Sequence, residues 1–172
     1  SGEMLKGHVS LGSLRVRQDR LLFEGLAGVA KTGSGAADDP VEMSLARIRQ
    51  LAAHEVGHTL GLAHNFAAST YGRESVMDYP APWVIVGKNG ELDFSRVYTT
   101  GVGAWDVQAI RYAYLQAGSP LAETDQLRLV LEENQRRGLL FLSDADARPP
   151  SASDPRASLW DNDADPTAGL LS

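Results

Sequence analysis

The most informative segment of the chain, residues 54–64, reads His54-Glu55-Val56-Gly57-His58-Thr59-Leu60-Gly61-Leu62-Ala63-His64. On an α-helix, residues four apart lie about 40° apart around the axis, so His54 and His58 leave the same face one turn apart and can share one metal ion. Glu55 follows His54 directly, so its carboxylate lies beside the ion, where it can accept a proton from an activated water. The spacing predicts a helix with two imidazole ligands and a general base.

A third histidine follows after a predicted turn. A helix that continued through position 64 would direct His64 away from the pair, whereas Gly61 can adopt the left-handed backbone that ends a helix and reverses the chain. We therefore predict that His54, His58 and His64 bind one ion and leave a fourth position for water. This is the catalytic pattern of zinc, so Zn²⁺ is the predicted cofactor. An isolated His-Glu-x-x-His can arise by chance on a solvated helix, but five positions are specified here.

This pattern and the downstream segment Ser75-Val76-Met77-Asp78-Tyr79 together resemble the metzincin zinc metalloproteases. The resemblance implies an α+β catalytic domain with a small mixed sheet, an active-site helix and C-terminal helices. It also implies that Met77 lies in a tight turn beneath the three histidines. In two branches of the clan, a tyrosine two residues after the methionine reaches the zinc and stabilises the transition state, and Tyr79 occupies that position.

The flanking sequence extends the resemblance. Residues 6–17 and 157–162 resemble segments of large bacterial zinc-dependent metalloproteases, which usually carry export signals and extra domains on both sides. The implied location is the periplasm or the extracellular space, and the implied partners are other domains of a larger parent chain. Metzincins place several strands and a helix before the signature, so the N-terminal strands of this domain are expected to be missing. We assign residues 1–142 to the catalytic domain and residues 143–172 to an Asp/Pro/Ser-rich tail that leads to a further region.

Composition restricts the remaining classes of function. The 172 residues carry a net charge of −6, so no basic stripe for nucleic acid or anionic lipid is expected. Cysteine is absent, which excludes a thiolate metal site and a cysteine nucleophile. Uninterrupted apolar runs are far shorter than the roughly 20 residues that span a bilayer.

Local patterns predict the remaining elements. Residues 3–11 alternate loosely between polar and apolar side chains and predict a strand, which the resemblance makes the edge that pairs with substrate. Helices are predicted at residues 13–25, from Asp39 through the signature, at 103–116 and at 120–137, with a hairpin at Asn89-Gly90 and a short strand at 138–142.

Two of these helices carry further expectations. The active-site helix has an apolar stripe that should pack on the core, made of Val41, Leu45, Ile48, Ala52 and Val56. The helix at 103–116 carries Val107, Ile110 and Tyr114 on one face, and Asp106 near its start is expected to be a structural rather than a catalytic carboxylate.

The predicted function is that of a zinc endopeptidase, in which a zinc-bound water attacks the peptide carbonyl, Glu55 is the general base and Tyr79 donates to the oxyanion. The partner would be a peptide or protein substrate. Two alternatives remain open at this point. One is a zinc amidase or esterase that acts on a non-protein substrate, and the other is an inactive binding module that keeps zinc for stability.

Overall fold

The computed structural model describes residues 4–152, 154–162 and 164–165. Five α-helices and two strands follow one another in this part of the chain: α1 (Ser13–Ala27), α2 (Pro40–Thr59), β1 (Ile85–Val86), β2 (Leu92–Asp93), α3 (Ala104–Tyr114), α4 (Pro120–Arg136) and α5 (Asp144–Ala147). Short 3-10 helices lie at Val29–Lys31, Phe66–Tyr71 and Pro155–Ala157. No helix among the described residues is both long enough and apolar enough to cross a membrane.

Helix α2 begins where the sequence predicts. Asp39 is the N-cap and its carboxylate accepts the Val41 amide hydrogen at 2.9 Å, while Pro40 occupies the first turn, where a missing N–H is not needed. The same carboxylate also accepts the amide hydrogens of Gly33 and Gly35 from the preceding loop. The cap therefore connects this loop to the start of the helix.

The residues divide into two compact units. The first contains the described residues up to Gly61 together with Ala81–Gly101. Helices α1 and α2 pack together in this unit, and Phe23, Met43, Phe94 and Val97 form its buried apolar cluster.

The strands of the first unit form an antiparallel hairpin, in which Ile85 faces Asp93 and Val86 faces Leu92. Gly90 in the connection has a φ of 84°, so the hairpin predicted from Asn89-Gly90 is confirmed.

The second unit contains Leu62–Pro80 and the described residues from Val102 onward. Helices α3 and α4 contact each other in it, and the ring of Trp105 stacks on Phe141 at 5.5 Å. Ser119 caps α4, as predicted, by accepting the Ala122 amide hydrogen at 3.2 Å.

The apolar stripe predicted for α2 is wrong. Leu45 is 39% exposed and Val56 is 47% exposed, whereas the buried residues of this helix are Pro40, Met43, Ser44, Arg47, Gln50, His54 and Gly57. The buried face is polar because its groups have partners. The Arg47 guanidinium donates to Gln50 Oε1 and lies 5.5 Å from the centre of the Tyr98 ring. Burial lowers the pKa of Arg47.

Two further predictions are also wrong. Residues 4–11 and 138–142 contain no strand, since the sheet of the described residues consists of β1 and β2 alone. The face of α3 that carries Val107 and Tyr114 is largely exposed, since Val107 is 56% and Tyr114 is 48% exposed, and the buried residues of this helix are Trp105, Asp106 and Gln108.

Candidate metal centre

Helix α2 carries the first two predicted ligands one turn apart. The rings of His54 and His58 lie 4.6 Å apart, nearly perpendicular to each other. His54 is only 2% exposed, whereas His58 is half-buried. Glu55, the predicted base, lies between them in the same helix and is also half-buried.

Gly61 provides the turn that the sequence predicts. Helix α2 ends at Thr59, and Gly61 then adopts a φ of 87°, in the left-handed region that L side chains rarely enter. The Gly61 amide donates to the carbonyl of His58 at 3.0 Å. The helix therefore ends five residues before His64, which lies outside it.

The three histidines form a cluster that can hold a metal ion. One nitrogen from each of His54, His58 and His64 lies within 4.8 Å of the other two. Zinc binds imidazole nitrogen at about 2.0–2.1 Å, so three nitrogens this close can share one ion after small ring rotations. The donor set also fits zinc, because neutral imidazoles are among its preferred ligands and three of them leave a coordination position open.

The surroundings of His64 are provided by both nearby and distant parts of the chain. Its Nδ1 lies 2.6 Å from Oδ2 of Asp144, which is 80 residues away. Its ring stacks on Phe66, with centroids 5.2 Å apart, and lies 4.7 Å from the Tyr79 ring. The His64 side chain is 14% exposed, so this imidazole is largely enclosed.

The predicted methionine turn lies next to the residue that follows His64. Met77 is fully buried, and its carbonyl accepts the amide hydrogen of Asn65 at 3.0 Å. The Met77 amide in turn donates to Ser75 Oγ at 2.9 Å. The turn is therefore attached directly to the segment that carries the third histidine.

Asp106, near the start of α3, forms hydrogen bonds with the residues that lead into the methionine turn. Its carboxylate accepts the Ser75 hydroxyl at 2.7 Å, the Val76 amide at 2.8 Å and the Gly103 amide at 2.7 Å. Burial raises the pKa of Asp106, although the hydrogen bonds oppose this rise. These contacts are those of a structural carboxylate.

Tyr79 is covered by the C-terminal segment. The Trp160 ring stacks on the Tyr79 ring at 5.2 Å, and the Trp160 amide donates to the Tyr79 carbonyl at 3.1 Å. Trp160 has a φ of 67°, an unusual conformation for a bulky residue. Arg148 interacts with both Asp144 and the Tyr79 side chain, and these contacts raise the pKa of its guanidinium.

Asp78, between the methionine and the tyrosine, is a buried carboxyl group. It accepts the amide hydrogens of Tyr79 at 2.7 Å and Ser69 at 3.1 Å. Burial is the main cause that raises its pKa to about 7, and the nearby Asp161 acts in the same direction.

The sequence did not indicate Asp144, Arg148 or Trp160 as neighbours of the site. All three lie in the segment interpreted as a tail, and no spacing relates them to the histidines. In the structure, the pKa of Asp144 is lowered. Burial acts to raise this pKa, but the hydrogen bonds from His64 and Arg148 outweigh it.

Comparison with known proteins shows the family of the chain. The sequence profile of the Met-zincin family matches residues 36–170, and the chain therefore belongs to that family. The predicted α+β, metzincin-like fold class is thereby confirmed. No curated protein and no solved structure matches the chain.

Proposed function

We propose that this protein is a zinc-dependent endopeptidase. The observation that carries the proposal is the convergence of three imidazole nitrogens within 4.8 Å, with Glu55 next to His54 in the same helix, in a chain of the Met-zincin family. His54, His58 and His64 would hold the ion. When bound, zinc supplies Lewis-acid polarisation of a water and of a substrate carbonyl.

The chain's own residues supply the rest of the chemistry. Glu55 accepts the proton of the attacking water and passes it to the amine that leaves. Tyr79 is proposed to donate a hydrogen bond to the developing oxyanion. Its ring lies beside His64, and the stacked Trp160 restricts its movement.

The resemblance to the family supports a proposal for the substrate and the location. A peptide or protein substrate is proposed because proteolysis is the activity that the metzincin resemblance implies. The proposed location is the bacterial periplasm or the extracellular space, supported by the resemblance to large exported metalloproteases.

The substitution Glu55→Gln tests the assignment of the base. The amide keeps the size of the side chain but cannot accept a proton, so we expect turnover of a peptide substrate to fall by roughly 10²–10⁴-fold. Zinc stoichiometry, measured by metal analysis of the purified protein, should stay at one ion per chain. Retained turnover in this variant would refute the assignment.

Glu42→Gln is the matched control, because Glu42 is an exposed glutamate in the first turn of the same helix. It lies roughly 20 Å from Glu55 along the helix axis, so its loss should leave turnover unchanged. A profile over peptide, ester and amide libraries distinguishes a peptidase from an amidase or esterase. Zinc binding without turnover in the full-length parent protein would instead favour an inactive module.

A further inference from the structure

We propose that Asp144 is a positioning residue that fixes the orientation and tautomer of His64. The inference deepens the proposed function, because it rests on the role of His64 as a metal ligand. The observation is the 2.6 Å contact between His64 Nδ1 and Asp144 Oδ2. At this distance the two groups share a charge-assisted hydrogen bond.

The contact with Asp144 determines which ring nitrogen of His64 carries the hydrogen. A neutral imidazole carries one hydrogen, and a carboxylate can only accept, so Nδ1 donates to Asp144. Nε2 of His64 then keeps its lone pair for a cation. A carboxylate in this position also raises the basicity of the ring and prevents its rotation, and loss of such partners lowers metal affinity by roughly 10–100-fold.

Asp144 is itself held from its other side. The Arg148 Nε donates to Asp144 Oδ1, so each carboxylate oxygen has a separate partner. The Arg148 guanidinium lies 5.8 Å from the centre of the Phe66 ring, and Phe66 stacks on His64. These contacts therefore link four groups in a closed ring: the Asp144 carboxylate, the Arg148 guanidinium, the Phe66 ring and the His64 imidazole.

The position of Asp144 in the fold also favours a positioning role. It is the first residue of α5, and Ser143 precedes it as the N-cap, with its amide donating to Asp146 at 2.8 Å. This local structure fixes the backbone from which the Asp144 side chain reaches His64. The proposal extends the catalytic domain beyond residue 142, its predicted C-terminal boundary.

The first experiment measures the tautomer of His64 directly in the metal-free protein. Long-range ¹H–¹⁵N NMR spectra should show His64 with its hydrogen on Nδ1. The same spectra of Asp144→Ala should show a mixture or the Nε2-protonated form. A hydrogen on Nε2 in the unsubstituted protein, or an unchanged tautomer in Asp144→Ala, would overturn the proposal.

The second experiment measures zinc affinity by competition with a chromogenic chelator. We expect Asp144→Ala to raise the Kd for zinc by roughly 10–100-fold. Asp144→Asn keeps an acceptor but loses the charge, so it should give a smaller increase, and it remains informative if the alanine variant does not fold. Asp125→Asn is the control for the loss of one carboxylate, because Asp125 is exposed on α4, and it should change the Kd less than twofold.

The outcomes separate this proposal from the proposed function. If zinc binding does not depend on His54, tested as His54→Ala, then the metal centre itself is wrong. If zinc binding depends on His54 but is unchanged in folded Asp144→Ala and Asp144→Asn, only the positioning role fails.

Discussion

The substitution Asp106→Ala should destabilise the protein strongly without removing any proposed ligand. Asp106 is 3% exposed, and its carboxylate accepts three hydrogen bonds, from Ser75, Val76 and Gly103. Alanine leaves these three donors without an acceptor in a buried environment. Each such donor costs about 1–3 kcal/mol.

The net effect is smaller than the sum of these costs. Burial of the carboxylate is itself unfavourable, as its raised pKa shows, and alanine removes that penalty. We therefore expect the free energy of unfolding to fall by roughly 3–5 kcal/mol, with the Tm lower by on the order of 10 °C for a chain of this length. Asp106→Asn, which keeps one acceptor oxygen, should lose about half as much.

The assay is urea unfolding of the metal-free protein, followed by circular dichroism, which separates stability from zinc binding. Asp125→Ala is the matched control, because Asp125 is exposed on α4, and its change should stay within about 0.5 kcal/mol. A loss below 1 kcal/mol in Asp106→Ala would refute the argument that Asp106 fastens the methionine turn to α3.

Three further substitutions test other parts of the structure. Gly103→Ala would place a Cβ 2.1 Å from the backbone carbonyl of Glu74, so we expect the free energy of unfolding in urea to fall by at least about 2 kcal/mol. Gly25→Ala in α1 is the control, because its Cβ would meet open space and the change should be neutral or stabilising. Gly61→Ala forces a side chain into a φ of 87° and should cost about 1–2 kcal/mol and weaken zinc binding in chelator competition. The pKa of Asp78 is raised from 3.8 to about 7, so the folded protein binds this proton more tightly than the unfolded chain does. The stability that this proton contributes is fully present below about pH 4 and is lost as the pH rises through 7. In urea unfolding, Asp78→Asn should therefore gain up to roughly 4 kcal/mol relative to the wild type as the pH rises from about 4 to about 7.

Local signals in the sequence were sufficient for the parts of the fold that depend on neighbouring residues. Asp39, Pro40 and Ser119 start their helices as predicted, because a cap satisfies amide groups within the same turn. The turn at Gly61 was predictable for the same reason. The grouping of three histidines followed from one helical turn and one glycine.

Contacts that depend on distant residues were not predictable. The apolar stripe of α2 was assigned to the core by hydrophobicity alone, yet Arg47 and Gln50 are buried because they bond to each other and Arg47 lies over Tyr98. No residue near position 47 in the sequence indicates that Arg47 will contact the Tyr98 ring. Asp144 was missed for the same reason, since it meets His64 from 80 residues away.

The hydrogen bonds of Asn65 determine when the segment next to the third histidine can form during synthesis on the ribosome. Its amide side chain donates to the carbonyl of Leu140 and accepts the amide hydrogen of Leu142, and its backbone bonds to Met77. His54 and His58 acquire their spacing as soon as their helix forms, because that spacing is local. The neighbour of the third histidine acquires its partners Leu140 and Leu142 only after residue 142 has emerged, so a nascent chain stopped earlier would carry two imidazoles on one helix and a third whose neighbour lacks these two hydrogen bonds.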